Sequence, residues 1–282
     1  MAYTNSIGII QNMKLLFNEY EKELFDQMVD AGIETVQLLV NSSSYKLMTE
    51  ENAEKILKMA EGKVRITSLW AGWHTGPSVW NFIDGPGTLG LVPDEYREAR
   101  IGELKLDADF AHRLGVTDIA SHVGFIPEQP CYHGYHETVE AVKQVAEHCA
   151  KYDMYFNFET GQETPTTLMR FIGDVGADNL GVNLDPANLI LYGRANPVDA
   201  LDLYGSRVRG VHVKDGNYPK DNFYELGKET VVGEGKVNFP VFIPKLLSMG
   251  YKGDLYIERE IAGKKRADDI TKTISYVREL MK

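Results

Sequence analysis

Short apolar segments alternate with longer amphipathic segments along the chain. The short segments have the length and composition of buried β-strands, whereas the longer ones repeat their apolar residues at the helical period. The predicted strands cover residues 6–11, 34–40, 64–72, 116–125, 154–160, 179–186, 207–216 and 253–260. The predicted helices cover residues 18–32, 49–62, 93–115, 135–153, 164–176, 196–206, 238–251 and 266–281. The pattern therefore predicts eight consecutive strand–helix units.

This order predicts an α/β fold with a parallel sheet. Strands that alternate with helices form βαβ units, and eight such units close into a (β/α)₈ TIM barrel. We see no linker, and we expect one TIM-barrel domain over residues 1–282. A doubly wound sheet is the alternative architecture. It normally has a glycine-rich phosphate loop after the first strand, whereas "IIQNMKLLF" (9–17) contains no glycine.

Composition and charge narrow the classes of partner and compartment. Thirty basic and 41 acidic side chains give a net charge of −11, which disfavours a nucleic-acid partner. No segment approaches the ~20 apolar residues of a membrane span. The two cysteines have no CxxC spacing, and the N-terminus lacks the basic and then apolar pattern of a signal peptide. We expect a cytoplasmic protein that does not bind membranes.

Polar side chains end the last four predicted strands. Side chains alternate between the two faces of a strand, so the apolar set faces the helices and the polar set faces the barrel mouth. The polar strand-end residues are Glu159, Asp185, His212, Lys214, Glu258 and Glu260. Several carboxylates close together repel one another unless a cation lies between them. Carboxylates with one imidazole suit Mn²⁺, Mg²⁺, Co²⁺, Fe²⁺ or Zn²⁺.

Each of these residues also has a structural interpretation. A histidine in a strand is commonly a hydrogen-bonded core residue, and a carboxylate at a strand end commonly caps a helix or forms an ion pair. Four strands with the same feature favour a shared metal site at Glu159, Asp185, His212 and Glu258. Glu260 lies on the same face as Glu258 and is the alternative last ligand.

Two long connections follow strands and therefore lie at the C-terminal face of the barrel. Residues 72–93 are rich in aromatic side chains, and residues 216–237 are rich in glycine and lysine. Loops at this face form the active sites of barrel enzymes, so we expect these two to be substrate walls or lids. The candidate substrate contacts are His122, Lys214, Gln162, Trp73, His74 and Glu260.

Four segments together resemble the xylose-isomerase-like barrel superfamily, which includes sugar phosphate isomerases and epimerases, ketose 3-epimerases and endonuclease IV. The segments are "FNFETGQETP" (156–165), "GVNLDPANLILYG" (181–193), "VHVKD" (211–215) and "YIEREI" (256–261). The resemblance implies that Glu159, Asp185, His212 and Glu258 hold one divalent ion, with Mn²⁺ preferred. It also implies that Glu159 and Glu258 are the catalytic acid/base pair. Asn188 stands where those epimerases often have a substrate-contacting histidine, and it is a further candidate contact.

The expected function is a metal-dependent isomerase or epimerase of a sugar or sugar phosphate. The ion would polarise a carbonyl and stabilise an enediolate, while one glutamate on each face of the substrate moves a proton. A lyase or dehydratase acting on a keto-sugar or keto-inositol is the alternative. An endonuclease IV-like phosphodiesterase and a non-catalytic sugar-binding protein are less favoured, the former because of the negative charge. The resemblance leaves the oligomeric state open, with a homo-oligomer as one possibility, since dimers and tetramers are common in this superfamily.

Overall fold

Eight parallel strands close into a barrel in the computed structural model, which describes residues 5–18 and 23–282. The strands of the barrel are β1 (Ile7–Asn12), β2 (Thr35–Val40), β3 (Arg65–Ala71), β4 (Asp118–Ser121), β5 (Tyr155–Glu159), β6 (Leu180–Leu184), β7 (Val208–Val213) and β10 (Leu255–Ile257). Each strand pairs with the next in parallel, and β10 pairs with β1 to complete the ring. The predicted TIM barrel is confirmed, and the doubly wound sheet is wrong because the sheet has no open edges.

Helices surround the barrel in the predicted order. They are α1 (Leu24–Ala31), α2 (Glu50–Ala60), α3 (Gly85–Thr88), α4 (Asp94–Arg113), α5 (Tyr135–Ala150), α6 (Pro165–Val175), α7 (Pro186–Leu191), α8 (Pro197–Tyr204), α9 (Phe239–Ser248) and α10 (Lys264–Leu280). Residues 19–22 of the predicted first helix, and residues 1–4, lie outside the described residues. Within the described ranges, none of the helices combines the length and the apolar character that crossing a membrane requires.

The two faces of each strand have different chemistry. On the outer face, Phe156 and Phe158 of β5 are fully buried, and the Phe158 ring lies 6.0 Å from that of Phe171 in α6. On the inner face, Gln37 of β2 donates a hydrogen bond across the barrel to Asn183 of β6. Apolar burial against the helices therefore stabilises the barrel from outside, while its interior is held by hydrogen bonds between polar side chains.

Several predicted boundaries are wrong at the C-terminal ends of the strands. The fourth strand ends at Ser121 and the seventh at Val213, both earlier than predicted. Residues predicted as the end of the seventh strand belong to a separate hairpin of β8 (Asp215–Asn217) and β9 (Lys228–Thr230). The unpredicted α7 starts at Pro186 because the Asp185 side chain caps it. These departures all lie where loops leave the barrel.

The β3–α4 connection is held by one buried arginine. Arg100 of α4 is fully buried, and its guanidinium stacks 5.0 Å from the ring centre of Trp73. It donates hydrogen bonds of 2.8–3.2 Å to the carbonyl oxygens of Thr75, Pro77, Thr88 and Gly90. Because all these acceptors belong to residues 72–93, one side chain fixes the path of the whole connection.

Replacing Arg100 by Met should destabilise the protein through this connection. Several buried carbonyl oxygens would lose their donor, and the expected loss is about 3 kcal/mol in the free energy of unfolding. Urea unfolding measures the loss, and limited proteolysis should show new cleavage within residues 72–93. Arg113→Met, at an exposed position of the same helix, should change stability by no more than about 0.5 kcal/mol. Equal stability of the two variants would contradict the assigned role.

Candidate metal centre and catalytic cavity

Four strands bring three carboxylates and one imidazole to a single point. Glu159 ends β5, Asp185 follows β6, His212 lies in β7 and Glu258 follows β10. One ligand atom from each of the four lies within 4.8 Å of all the others. His212 Nδ1 is 2.9 Å from Glu159 Oε1, 3.0 Å from Glu258 Oε2 and 3.8 Å from Asp185 Oδ2. The structure therefore places the predicted ligand set together.

Glu258, and not Glu260, contributes to this cluster. The Glu260 side chain is 59% exposed and pairs with Lys214 Nζ at 2.6 Å. The same Nζ lies 3.4 Å from Glu258 Oε2 and 3.5 Å from Asp185 Oδ2. Lys214 is buried, so it places one positive charge directly beside the carboxylate cluster.

Two buried atoms at the centre of the cluster have no hydrogen-bond partner in the part of the chain that the structure describes. They are Asp185 Oδ2 and His212 Nδ1. Asp185 uses its other oxygen, Oδ1, to accept from the Asn188 backbone N–H at 2.9 Å, as a cap of α7. Buried polar atoms are normally satisfied, and these two converge with carboxylate oxygens of Glu159 and Glu258. The donor set of oxygens and one nitrogen fits a divalent cation, which would satisfy both atoms.

Gln37 and Asn183 form a hydrogen-bonded layer beneath these ligands. Gln37 Nε2 donates to Ser68 Oγ at 3.0 Å and to Asn183 Oδ1 at 3.2 Å. Gln37 Oε1 lies 2.6 Å from His212 Nε2, and Asn183 Nδ2 donates to Glu159. Because Gln37 Oε1 can only accept, His212 carries its proton on Nε2. Asn183 Nδ2 also lies 3.1 Å from His212 Nε2, and one of its two N–H groups donates to the Glu159 carboxylate.

Once a cation displaces the second ring proton, this arrangement leaves the lone pair of His212 on Nδ1, facing the three carboxylates. A histidine that binds a metal typically donates its other ring N–H to a fixed acceptor, and Gln37 is that acceptor here. Neither Gln37 nor Asn183 was among the predicted site residues. Gln37 is a polar residue in the apolar strand "ETVQLLV" (34–40), and that contrast is the signal that the sequence offers for it.

Burial and mutual charge shift the pKa values of the cluster. Burial raises the pKa of Glu159 to about 7, although His212 opposes the shift. Burial also disfavours the charged form of Glu258, but Lys214 and His212 together lower its pKa below the ordinary value. Burial would lower the pKa of His212, yet Glu159 and Glu258 raise it well above the ordinary value. Protons thus occupy the cluster when no cation is bound.

A cavity of about 640 Å³ opens above the cluster at the barrel mouth. Its polar lining includes Glu159, Glu258, Lys214, Glu260, His122 and Asn188. Its apolar lining includes Leu39, Trp70, Trp73, Trp80, Leu191 and Leu226. This mouth cavity has the size and mixed lining of a small-molecule site.

The predicted substrate contacts fall into two groups: His122 and Gln162 lie together at the mouth cavity, whereas His74 lies against α4. His122 is buried, and its Nδ1 lies 3.1 Å from Gln162 Oε1, while Gln162 Nε2 donates to the Tyr192 hydroxyl. Gln162 thereby orients two side chains of the cavity lining, His122 and Tyr192. Burial, aided by the charge of Lys214, lowers the pKa of His122 to about 3, so this ring is neutral. The His74 ring instead contacts α4, with Nε2 3.5 Å from Asp107 Oδ1.

The chain belongs to the xylose isomerase-like TIM barrel family, whose model matches residues 25–280. A xylose isomerase domain protein from Planctomyces limnophilus is 30% identical, with 99% of this chain and 97% of that chain covered and a TM-score of 0.86. A D-tagatose 3-epimerase-like protein is 17% identical, with 98% and 97% covered and a TM-score of 0.71. That identity establishes the shared fold alone.

A curated relative covers less of the chain. An uncharacterized protein of Methanocaldococcus jannaschii, MJ1311, is 25% identical over 183 residues, which is 60% of this chain. The match spans 57% of that protein, so the chain aligns with just over half of its length.

Gln37→Leu should weaken metal binding because His212 would lose the acceptor that fixes its proton on Nε2. The expected loss of affinity is about 10- to 100-fold, as measured by competition with a chromophoric chelator. Thr35→Val is the matched control, since Thr35 is buried on the same strand and its hydroxyl has no hydrogen-bond partner among the described residues. Unchanged affinity in a folded Gln37→Leu protein would show that this hydrogen bond does not support the ligand.

Metal affinity should fall as the pH is lowered through neutrality. The pKa values of His212 and Glu159 are both raised, so the metal-free cluster holds protons that a cation must displace. Lowering the pH favours the protonated cluster, which competes with the cation. The metal affinity therefore decreases roughly tenfold for each unit by which the pH is lowered and for each proton that the cation displaces. Titration calorimetry with Mn²⁺ between about pH 6 and 8 tests this. A pH-independent affinity would contradict it.

Proposed function

We propose that the protein is a divalent-metal-dependent epimerase of a sugar derivative that carries a carbonyl group. The observation that carries the proposal is the placement of Glu159 and Glu258. They come from β5 and β10, which are separated in the barrel by β6 and β7, yet both lie about 3 Å from the same nitrogen of His212. Two carboxylates that approach one point from different sides suit proton transfer on both faces of a bound carbon.

Each carboxylate has a separate role in the proposed reaction. One glutamate removes the proton from the carbon beside the carbonyl, and the other returns a proton to the opposite face. A bound divalent ion would polarise the carbonyl and lower the barrier to this proton loss. Asp185 and His212 would complete its ligand set, and Mn²⁺ is the proposed ion because it accepts carboxylate oxygens together with an imidazole.

Other side chains of the mouth cavity would bind and orient the substrate. His122 donates its Nδ1 proton to Gln162, so its Nε2 is free to accept from a sugar hydroxyl. Lys214 lines the cavity and balances part of the negative charge of the cluster. Asn188 donates through its amide to the Thr160 carbonyl oxygen at 3.2 Å, which leaves its own oxygen as an acceptor. An amide cannot carry a proton in this step, so we assign Asn188 to binding.

The family gives this proposal its chemical context. The chain belongs to the xylose isomerase-like barrels, and one barrel of the same fold is a D-tagatose 3-epimerase-like protein. The resemblance of the segments at β5, β6, β7 and β10 to those of ketose 3-epimerases favours inversion at one carbon over migration of the carbonyl.

Turnover in D₂O tests the proposal directly. A panel of ketoses and keto-glycosides is incubated with Mn²⁺-loaded protein, and we expect deuterium on the inverted carbon, followed by NMR. Glu159→Gln and Glu258→Gln should each lower the rate of inversion by about 10²- to 10⁴-fold, because each removes one acid/base group. Glu225→Gln, at an exposed carboxylate between β8 and β9, is the control and should retain full activity.

The products distinguish the alternatives. An epimer that carries deuterium supports the proposal, whereas a shift of the carbonyl without an epimer indicates an aldose–ketose isomerase. Loss of water indicates a dehydratase, in which the buried ammonium of Lys214 beside Glu258 would assist the departing hydroxyl. Full inversion activity in both Glu→Gln variants would refute the assignment of the two roles.

A further inference from the structure

All three tryptophans of the chain line the mouth cavity. They are Trp70 on β3, and Trp73 and Trp80 on the connection that follows it. The Trp70 and Trp80 rings meet the His122 ring edge-on, with centroids 6.0 and 4.9 Å away. Trp73 is buried against Arg100, but Trp80 is 42% exposed. A large exposed aromatic side chain in the lining of a cavity contributes little to packing and offers a flat surface to a ligand ring.

The mouth cavity has two levels. Glu159, His122 and Lys214 at its base are at most 4% exposed. Trp80 is exposed and Leu226 is partly exposed; they lie on the two long connections and line the same cavity. A volume of about 640 Å³ is in the middle of the roughly 300–1,000 Å³ range that encloses drug-sized ligands. A single hexose ring bound at the base would leave the outer level unfilled.

The charge of the lining restricts what the outer level binds. Among the lining residues that the structure describes, Lys214 is the one Lys or Arg, and it already pairs with Glu258, Glu260 and Asp185. A phosphate group is bound most strongly by Arg or Lys donors that are not already paired with carboxylates. The surplus of carboxylates would instead repel it. The outer level therefore suits an uncharged group with a flat apolar face.

We propose that the outer level of the mouth cavity is a binding subsite for the second ring of a neutral glycoside. Trp80 stacks on that ring from the β3–α4 connection, and Leu226 covers it from the β7–α9 connection. The ring is either a second sugar, which offers a face of C–H groups, or an aryl aglycone. The inference rests on the proposed function for the ring at the base, and it narrows the substrate class to glycosides rather than free ketoses or sugar phosphates.

Binding of unreactive ligands tests the subsite separately from catalysis. The ligands are methyl β-glucoside, phenyl β-glucoside, cellobiose and glucose 6-phosphate, which carry no keto group for the proposed reaction. We expect phenyl β-glucoside, cellobiose or both to bind roughly three- to tenfold more tightly than methyl β-glucoside, as measured by ligand-observed NMR titration. Methyl β-glucoside measures binding at the bottom of the cavity alone. Phenyl β-glucoside tests an aryl group in the outer level, and cellobiose tests a second sugar there.

Three variants connect the preference to the outer level. Trp80→Ala and Leu226→Ala should each bring the affinity for the two-ring glycosides close to that for methyl β-glucoside. Trp80→Phe should retain most of the difference in affinity because a ring face remains. Tyr132→Ala removes an exposed aromatic side chain from the β4–α5 connection, outside the cavity lining, and should have no effect. Thermal unfolding of each variant checks that its fold is intact.

The outcomes separate this inference from the proposed function. Equal affinity for methyl and two-ring glycosides, or tighter binding of glucose 6-phosphate than of methyl β-glucoside, would overturn the subsite. A preference that survives both Trp80→Ala and Leu226→Ala would also overturn it. If the preference is present but keto-glycosides take up no deuterium in D₂O, the subsite stands and the proposed epimerase activity fails.

Discussion

Three carboxylates buried around one imidazole nitrogen are the constraint on which the rest of the structure depends. Glu159 and Asp185 are at most 2% exposed, and both approach His212 together with Glu258. Like charges at this separation in a water-poor site strongly disfavour one another, and only a cation or bound protons make the arrangement stable. Lys214 supplies one positive charge, and although burial opposes it, the charges of Glu159 and Glu258 raise the pKa of His212 well above its ordinary value.

The polar interior of the barrel follows from this constraint. A ligand histidine requires a fixed acceptor for its second nitrogen, and a ligand carboxylate requires a fixed orientation. Gln37 provides the first and Asn183 the second, and the two amides bond to each other across the barrel. Filling these inner positions with aliphatic side chains would pack a barrel equally well, but it would leave His212 and Glu159 without support. The interior is therefore specified by the site above it.

The walls of the mouth cavity are held in a similar way, by buried charges paired with the backbone. Arg100 donates to four carbonyl groups of residues 72–93. On the other side, the Asp215 carboxylate accepts from the backbone N–H groups of Gly216, Gly233, Gly235 and Val237 at 2.8–3.1 Å. Long irregular loops lack the repeating hydrogen bonds of strands, so a single charged side chain that satisfies several backbone groups gives them one conformation. Trp80 and Leu226 thereby face the same space.

The sequence by itself indicated the barrel and three residues of the candidate metal site, Glu159, Asp185 and His212. The period of its apolar residues distinguishes strands from helices, and the alternation along β5, β6 and β7 assigns Glu159, Asn183 and His212 to the inner face. It could not determine contacts between residues far apart in the chain. Gln37 and His212 are 175 positions apart, and His74 turns toward Asp107 because α4 packs beside its loop. Whether Glu258 or Glu260 joins the cluster depended on where β10 ends. These contacts depend on the distances between strands, helices and loops. The local pattern of apolar and polar residues does not encode those distances, and only the closed barrel determines them.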